Sequence, residues 1–572
     1  MAVKNFCYCI GGTGTRVAEV AGHLCAMNMV GEQDITFIVV DKDTNCGGTS
    51  QALRLLETVT VLSDVAHSPD IAIIRPEGRQ KEFCKSNLRV YNWDFSDTMQ
   101  SLTQAFDGEV SLKDSIASRD GLTQMDSDAN LFDAFYSRKE QDKDTAKGFY
   151  GHPSIGALIF KYMVEKGDWN KGGLKSDDIA YPIKDYLANN PADAVKVFII
   201  GSVFGGTGAS IFSNIAAHIR RTVNPADNRR VFISGSLLLP YFTFATKADG
   251  YINPTEFYSK SIVALEQYGN DPNLMRNSTN YAGSFDSLYV CGQEPLHCTS
   301  RIYSEGGADQ KNHFNFVDLV AAQAMTQFFN AHLDQDPTAA NAFVFSAGYK
   351  TGIYEYRYDS SNSLNIPVVD LSNTPDLGRS LKAMTAFCTY FITKIYTSIK
   401  CDKPTNSFVL NRLFTSSELK HFEGEVSNQV NEIIDRVYGY CCSFVSFMTD
   451  IAYNGFDWSG GTLASFENLY NLFNRDYFDR LNIVISNLNS GNYKEAANVM
   501  NSSFCRTSTF GGDRGYSEYV AGVEGVSVNK IDDELEKVFK HRVQKFSDNS
   551  IAVNARVGDI IHEAFKCCFA NS

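Results

Sequence analysis

The sequence lacks an excess of basic residues, and this absence excludes a class of partners. Its 572 residues include 52 Lys and Arg against 66 Asp and Glu, which gives a formal net charge of −14. Broad contact with a nucleic-acid backbone requires a basic face, so we expect no nucleic-acid partner. A single nucleotide is still compatible with this charge, because backbone amides bind phosphate without carrying a formal charge.

A composition typical of disorder is missing as well. Hydrophobic residues make up 44% of the chain and charged residues only 21%, so the chain has enough apolar surface to form a folded core. Its length exceeds what one hydrophobic core usually serves, and we therefore predict at least two domains.

Cysteine motifs and long apolar runs are the remaining absences. The 14 cysteines include no C-x-x-C motif and no disulfide-framework spacing, which disfavours zinc ribbons, dithiol redox sites and secreted disulfide scaffolds. The longest apolar stretch, residues 231–245, is interrupted by Ser, Gly and Pro and is too short to span a membrane. Residues 1–10 are too short an apolar run for a signal peptide. We expect a cytoplasmic protein with reduced thiols and no membrane span.

The sequence does contain an alternation of apolar runs and helical patterns, which predicts an α/β fold with a parallel sheet. Residues 76–147 interrupt this alternation with a polar, irregular segment that we interpret as a surface insertion. After about residue 376, apolar residues recur at helical spacing, as at Leu377, Leu381 and Met384, and they predict a mainly helical C-terminal domain. The runs that predict buried strands are residues 6–10, 35–40, 195–200, 231–239 and 287–291.

Two glycine-rich segments share the string Gly-Gly-Thr-Gly, at residues 11–14 and 205–208. Each lies between a predicted strand and a predicted helix. Glycine allows a close approach of the backbone to a ligand, and exposed amides at a helix N-terminus favour an anion such as phosphate. Both loops follow the carboxyl ends of strands, where open α/β sheets bind ligands. The two loops together therefore predict a nucleotide site.

The residues of the two loops limit which nucleotide-binding folds fit the sequence. A P-loop is excluded, because no Gly-Lys-Ser or Gly-Lys-Thr occurs in the chain. A Rossmann oxidoreductase using NAD(P) remains an alternative through Gly12, Gly14 and Asp41, which have suitable spacing. However, Val17 stands where that motif needs a third glycine, and the second loop is left unexplained.

Five segments, in the right order, resemble the tubulin/FtsZ superfamily, and most closely its divergent bacterial tubulin-like proteins. The most specific of them, Phe-Gly-Gly-Thr-Gly-Ala-Ser at residues 204–210, is similar to the tubulin signature G-G-G-T-G-[ST]-G. The resemblance implies a tubulin/FtsZ-like nucleotide-binding domain over residues 1–335, a connecting segment over 336–375 and a helical C-terminal domain over 376–572. The five segments are residues 11–16, 37–43, 148–156, 204–210 and 239–242.

The resemblance also implies that the ligand is GTP or GDP with Mg²⁺, bound without a direct metal ligand from the protein. The first loop would hold the α- and β-phosphates, and the second would wrap the β- and γ-phosphates. Asn312 would read the guanine base, although an ordinary helix N-cap is an equal alternative for that residue. The other nucleotide-binding residues implied by the resemblance are Gly11, Gly12, Thr13, Gly14, Thr15, Arg16, Asp41, Asp43, Gly151, His152, Phe204, Gly205, Gly206, Thr207 and Gly208.

In this family, hydrolysis is completed in trans by an acidic loop that follows the central helix of the neighbouring subunit. Counting one long helix from Asn312 makes Asp334 and Asp336 the catalytic acids, whereas a competing alignment selects Asp318. The resemblance therefore implies a GTPase that self-associates or polymerises as a cytoskeletal protein. A protein partner could bind through the C-terminal domain. The alternative is a non-catalytic, nucleotide-bound scaffold or switch.

Overall fold

A computed structural model describes the chain in segments, and all structural statements concern these residues. They are residues 2–43, 45–65, 83–94, 101–103, 128–145, 148–149, 151–166, 178–245, 253–276, 283–292, 299–301, 307–308, 310, 313–331, 342–348, 352–358, 366–369, 375–397, 427–454, 475–503, 564–565 and 568–569.

The main sheet has six strands in the order β3-β2-β1-β4-β5-β7. β1 pairs with β2 and β4, β4 pairs with β5, and β5 pairs with β7, all in parallel. A second sheet, in the order β11-β10-β9, is antiparallel, and β6 pairs with β8. The strands are β1 (Val3–Ile10), β2 (Asp34–Asp41), β3 (Asn87–Asp94), β4 (Ala194–Ser202), β5 (Val231–Leu238), β6 (Phe242–Phe244), β7 (Ser287–Cys291), β8 (Thr299–Arg301), β9 (Ala342–Gly348), β10 (Gly352–Tyr358) and β11 (Ile366–Val369).

Helices follow most of the strands of the main sheet and make up the described part of the chain after residue 375. A π-helical turn, Phe391–Tyr396, continues α10. Within the described segments, no helix combines the length and apolar character needed to cross a membrane. The helices are α1 (Gly11–Ala26), α2 (Gly47–Val65), α3 (Asp128–Phe135), α4 (Arg138–Gln141), α5 (Pro153–Lys166), α6 (Tyr181–Asn189), α7 (Thr207–Thr222), α8 (Glu256–Asn270), α9 (Phe316–Asn330), α10 (Pro375–Tyr390), α11 (Ser427–Asn454), α12 (Arg475–Asn489) and α13 (Tyr493–Ser503).

This architecture confirms the predicted α/β fold with a parallel sheet and a helical C-terminal region. The central strands form where they were predicted because they are covered on both faces: all nine residues of β4 are buried, and buried parallel strands read as near-continuous apolar runs. Strand order reverses between β1 and β4. Both glycine loops therefore emerge at a topological switch point, where open α/β sheets bind ligands.

The edge strand β3 lies inside the segment that was interpreted as an irregular surface insertion. That part of the segment is sheet. Leu88 and Trp93 are buried, whereas Asn87 and Arg89 are exposed. An edge strand keeps one side in water, so its apolar signal is weak and the sequence pattern did not reveal it.

The contacts divide the chain into two compact units. The first contains Met1–Ala21, Gln33–Leu56 and Leu88–Asp370, and the second contains Gly22–Glu32, Glu57–Asn87 and Leu371–Ser572. In the second unit, His23 is fully buried against the rings of Tyr440, Phe444 and Phe447, at centroid distances of 5.3 to 5.4 Å. Burial lowers the pKa of His23 to about 3, so this imidazole is a neutral member of an aromatic core.

Candidate functional site

The two Gly-Gly-Thr-Gly loops touch each other at the carboxyl edge of the main sheet. Gly11 has a φ of +65°, a backbone conformation that residues other than glycine rarely adopt. A Cβ added to Gly11 would lie 3.2 Å from the Cβ of Thr207 and 3.3 Å from the amide nitrogen of Gly208. The segments that the sequence predicted as two parts of one site are therefore brought together by the pairing of β1 with β4.

Gly12 and Gly14 occupy very different surroundings within the first loop. A Cβ on Gly14 would lie 2.8 Å from both the carbonyl carbon of Cys9 and the carbonyl oxygen of Ile200, whereas a Cβ on Gly12 would meet no protein atom within 4 Å. Gly14 therefore permits close packing of α1 on β1 and β4. Gly12 faces open space, as expected of a residue that lets a ligand approach the backbone.

A third segment packs on the second glycine loop. Gly148 and Gly151 have φ values of +91° and +72°. A Cβ on Gly206 would lie 3.0 Å from the Cβ of Phe149 and 3.1 Å from the amide nitrogen of Gly151. The segment that resembles the third phosphate loop of the family is thus in direct contact with the segment that resembles the fourth.

His152 follows this contact and leads into α5. Its Nδ1 lies 3.6 Å from Oε1 of Glu140. The pKa of His152 is lowered, mainly by burial and then by Lys143 and Lys260. The imidazole is therefore expected to be neutral and able to accept a hydrogen bond near pH 7.

Asp41 lies at the end of β2, between the glycine loops and α2. Its Oδ1 accepts a long hydrogen bond from Thr207 Oγ1 at 3.4 Å, and its Oδ2 accepts one from Thr49 Oγ1 at 3.2 Å. Burial raises the pKa of this carboxyl to about 7, and the neighbouring Asp43 contributes to the rise. Asp41 therefore changes its charge close to neutral pH.

Asp43 connects this edge of the sheet to the segment before α9. Its Oδ2 accepts a hydrogen bond of 2.6 Å from the amide of Gly307. The amides of Gly47 and Gly48 donate to the carbonyls of Gly307 and Gln310, each at 3.1 Å. Asp43 and the start of α2 thus hold the segment that leads to the predicted base-reading residue.

Some residues of this site were not predicted from the sequence. Residues 47–49 repeat the string Gly-Gly-Thr at the start of α2, a few residues after β2, and this repeat was an available signal. Lys260 on α8 donates from Nζ to the carbonyl of Gly151 at 3.1 Å and pairs with Glu256 at 3.0 Å. No sequence signal pointed to Lys260, since only the fold brings α8 to the third segment.

Three predicted residues have contacts that limit their roles. The side chain of Phe204 is buried and packs on the ring of Phe257 at 5.0 Å, which leaves its backbone for a ligand. Arg16 is buried and donates to protein oxygens. Asp318, the alternative catalytic acid, is fully buried in the first turn of α9, where its side chain accepts from the amide of Asn315 in a capping box.

Three further predicted residues, Asn312, Asp334 and Asp336, lie outside the described residues. Thr13 and Thr15 lie in the first turns of α1, and the hydroxyl of Thr15 donates to the carbonyl of Gly12 at 3.0 Å. Across the parts of the chain that are described, no group of three or more His, Cys, Asp or Glu side chains is arranged to hold a metal ion.

One comparison with known proteins gives a match. A family model described as "Tubulin like" matches residues 172–255, which contain β4, the second glycine loop, α7 and β5. Neither the curated proteins nor the solved structures gave a match. The family match includes the most specific of the predicted motifs, and it confirms the tubulin-like resemblance.

Proposed function

Taking the chain as tubulin-like, we propose that it binds GTP or GDP with Mg²⁺ at the edge of its parallel sheet. The observation that carries the proposal is the contact between the two Gly-Gly-Thr-Gly loops at the switch point, where Gly11 lies against Thr207. A strand-to-helix turn can contain glycine for packing alone, as Gly14 does. Two such loops in contact, with Gly12 facing open space, favour a site built for a ligand.

Phosphate is the group that this edge suits best. The first turns of α1 and α7 offer backbone amides and the positive ends of two helix dipoles. These partial charges suit a chain whose net charge is −14. Lys260, which pairs with Glu256, places an ammonium group beside Gly151, next to the contact between the third segment and Gly206.

The acidic side chains of this edge fit a role near Mg²⁺. Asp41 and Asp43 are buried carboxyls, and Asp41 accepts a hydrogen bond from Thr207. Mg²⁺ prefers oxygen ligands together with substrate phosphates and water. When bound, the cation would neutralise phosphate charge. Asp41, Asp43 and Thr207 would orient the metal-bound phosphates, and an arriving cation would favour the ionised form of Asp41.

Hydrolysis and self-association form the second part of the proposal. Asp334 and Asp336, or Asp318 in the competing alignment, would act on the γ-phosphate of a neighbouring subunit in the cytoplasm. The burial of Asp318 in its capping box supports the first pair. Because this burial removes one of the candidate acids, it also favours a second candidate function. In this alternative, the protein binds GTP without hydrolysing it and binds a protein partner through its helical C-terminal unit.

We expect purified protein to release GTP or GDP on denaturation, and the double change Gly206→Ala with Thr207→Ala to remove that nucleotide. A Cβ on Gly206 would press on Phe149 and the amide of Gly151, and the second change removes the hydroxyl that contacts Asp41. The loss of affinity is expected to be about a hundredfold. Chromatography of the released nucleotide measures it.

A matched control is Gly439→Ala in α11, where an added Cβ meets no atom within 4 Å. This variant should keep its nucleotide. Retention of nucleotide by the double variant would show that the second loop is misassigned, and NAD(P) in the released fraction would favour the oxidoreductase alternative. Phosphate release that rises more than linearly with protein concentration would support hydrolysis between subunits, while intact GTP without turnover would support the scaffold.

A further inference from the structure

Arg16 follows the first glycine loop and is engaged with protein oxygens. Its Nη1 donates to the carbonyl of Gly12 at 3.0 Å, and its Nη2 donates to Thr13 Oγ1 at 3.3 Å and to the Tyr241 hydroxyl at 2.7 Å. The residue is 2% exposed, so its charge is withdrawn from solvent. A guanidinium held in this way acts on the backbone of the loop rather than on a ligand.

Asp318 supplies the negative charge that balances Arg16. Its Oδ1 accepts from the Tyr241 hydroxyl at 2.6 Å, and its Oδ2 lies 3.8 Å from Nε of Arg16. Asp318 is itself fixed by the capping hydrogen bond that its Oδ2 accepts from the amide of Asn315 at 2.9 Å. The start of α9 and the exit of β5 thus hold one arginine against the first loop.

We propose that Arg16 is a positioning residue for the first glycine loop, and that Tyr241 and Asp318 hold it in place. The guanidinium of Arg16 and the hydroxyl of Thr15 both donate to the Gly12 carbonyl at 3.0 Å, and Arg16 adds the positive charge that keeps the negative end of this carbonyl away from an anionic ligand. With that carbonyl held, the loop presents its amides. The consequence for ligand affinity rests on the proposed nucleotide-binding function, whereas the consequence for the loop's order does not.

A second buried ion pair of the same sheet provides a matched control. Asp286 pairs with Arg220 at 2.6 Å and with Arg276 at 3.3 Å, and all three residues are buried. This cluster lies at the amino ends of β5 and β7, at the opposite edge from the glycine loops. Its loss should weaken the fold without touching the nucleotide site.

The test compares Arg16→Met, Tyr241→Phe and Asp318→Asn with Asp286→Asn, by titration with a fluorescent GDP analogue at a temperature where each variant is folded. We expect Arg16→Met to weaken affinity about thirtyfold and the other two site variants by about tenfold. Arg16→Lys should recover only part of the loss, because an ammonium cannot make the same forked contacts. Asp286→Asn should lower the melting temperature but change affinity by less than about twofold.

Hydrogen exchange tests the positioning role without any ligand. In nucleotide-free protein, Arg16→Met should speed the exchange of the amides of residues 12–15 by about tenfold, whereas Asp286→Asn should leave them unchanged. Equal exchange in the two variants, or equal affinity for the nucleotide, would overturn the proposal. Failure of the wild-type protein to bind nucleotide would instead count against the proposed function, and the exchange result would still decide the role of Arg16.

Discussion

Replacing Gly14 by Ala is expected to destabilise the protein by about 3 kcal/mol or more and to abolish nucleotide binding. A Cβ at this position would lie 2.8 Å from backbone atoms of Cys9 and Ile200. These atoms belong to two paired strands of the main sheet, so they cannot move aside as a flexible side chain would. The helix after the first glycine loop would have to shift away from the sheet, and the loop amides would move with it.

Gly12→Ala is the matched control two residues away. Its Cβ would meet no protein atom within 4 Å, and Ala has a better helix propensity than Gly by up to about 1 kcal/mol. We therefore expect the nucleotide-free variant to be as stable as the wild-type protein or slightly more so. Its affinity for nucleotide should nevertheless fall, since the added methyl group would stand where a ligand approaches the backbone.

Urea unfolding of nucleotide-free protein, together with nucleotide titration, distinguishes the two variants. The expected pattern is a loss of stability for Gly14→Ala and a loss of affinity alone for Gly12→Ala. If Gly14→Ala has the same urea midpoint of unfolding as the wild-type protein, α1 does not pack on the sheet as closely as described. If Gly12→Ala binds nucleotide as tightly as the wild type, the first loop does not face the ligand.

Changing Asp41 to Asn is expected to stabilise the nucleotide-free protein at pH 8 and to have little effect near pH 4. The pKa of Asp41 is raised from 3.8 to about 7, chiefly by burial. The folded state therefore binds the proton more tightly than the unfolded state, and wild-type stability falls as the pH rises from about 4 to about 7. Since each pKa unit corresponds to about 1.4 kcal/mol, the loss is about 4 kcal/mol at most.

Melting temperatures of the wild-type protein and Asp41→Asn between pH 4 and pH 8 test this expectation. The Asn side chain stays neutral, so the difference in stability should grow through the window between pH 4 and pH 7 and then level off. Asp43→Asn is a useful comparison, because it removes the neighbouring charge that contributes to the raised pKa of Asp41 and keeps a side-chain oxygen that can accept from the amide of Gly307. A difference that is constant from pH 4 to pH 8 would contradict the assignment.

The raised pKa of Asp41 also bears on the proposed magnesium role. A cation arriving near Asp41 would favour its ionised form, so binding of Mg²⁺ and nucleotide near pH 6 should release protons. Asp41→Asn should release fewer. The wild-type protein and Asp41→Asn can be measured in the same buffers. The difference in the number of protons released would show whether Asp41 faces the metal-bound phosphates or is only a buried carboxyl.

The extent to which the site was predictable depended on how local its signals were. Residues 11–14 and 205–208 could be recognised from their own glycines, and the structure places the two loops in contact. Lys260 and Thr49 touch the same edge through side chains on other helices. A lysine or threonine on a helix carries no local signature of its partner, so these contacts could not be read from the chain.

The sequence by itself determined the class of the fold, the central strands and the two glycine loops. It could do so because strands buried on both faces must be apolar, and because turns at a crowded sheet edge require glycine. Only the tertiary structure decided that Arg16 is withdrawn into a network with Tyr241 and Asp318. It also decided that Asp41 is buried deeply enough to titrate near pH 7. These properties depend on neighbours far away in the sequence and on exclusion of water, and neither is written in the local pattern of residues.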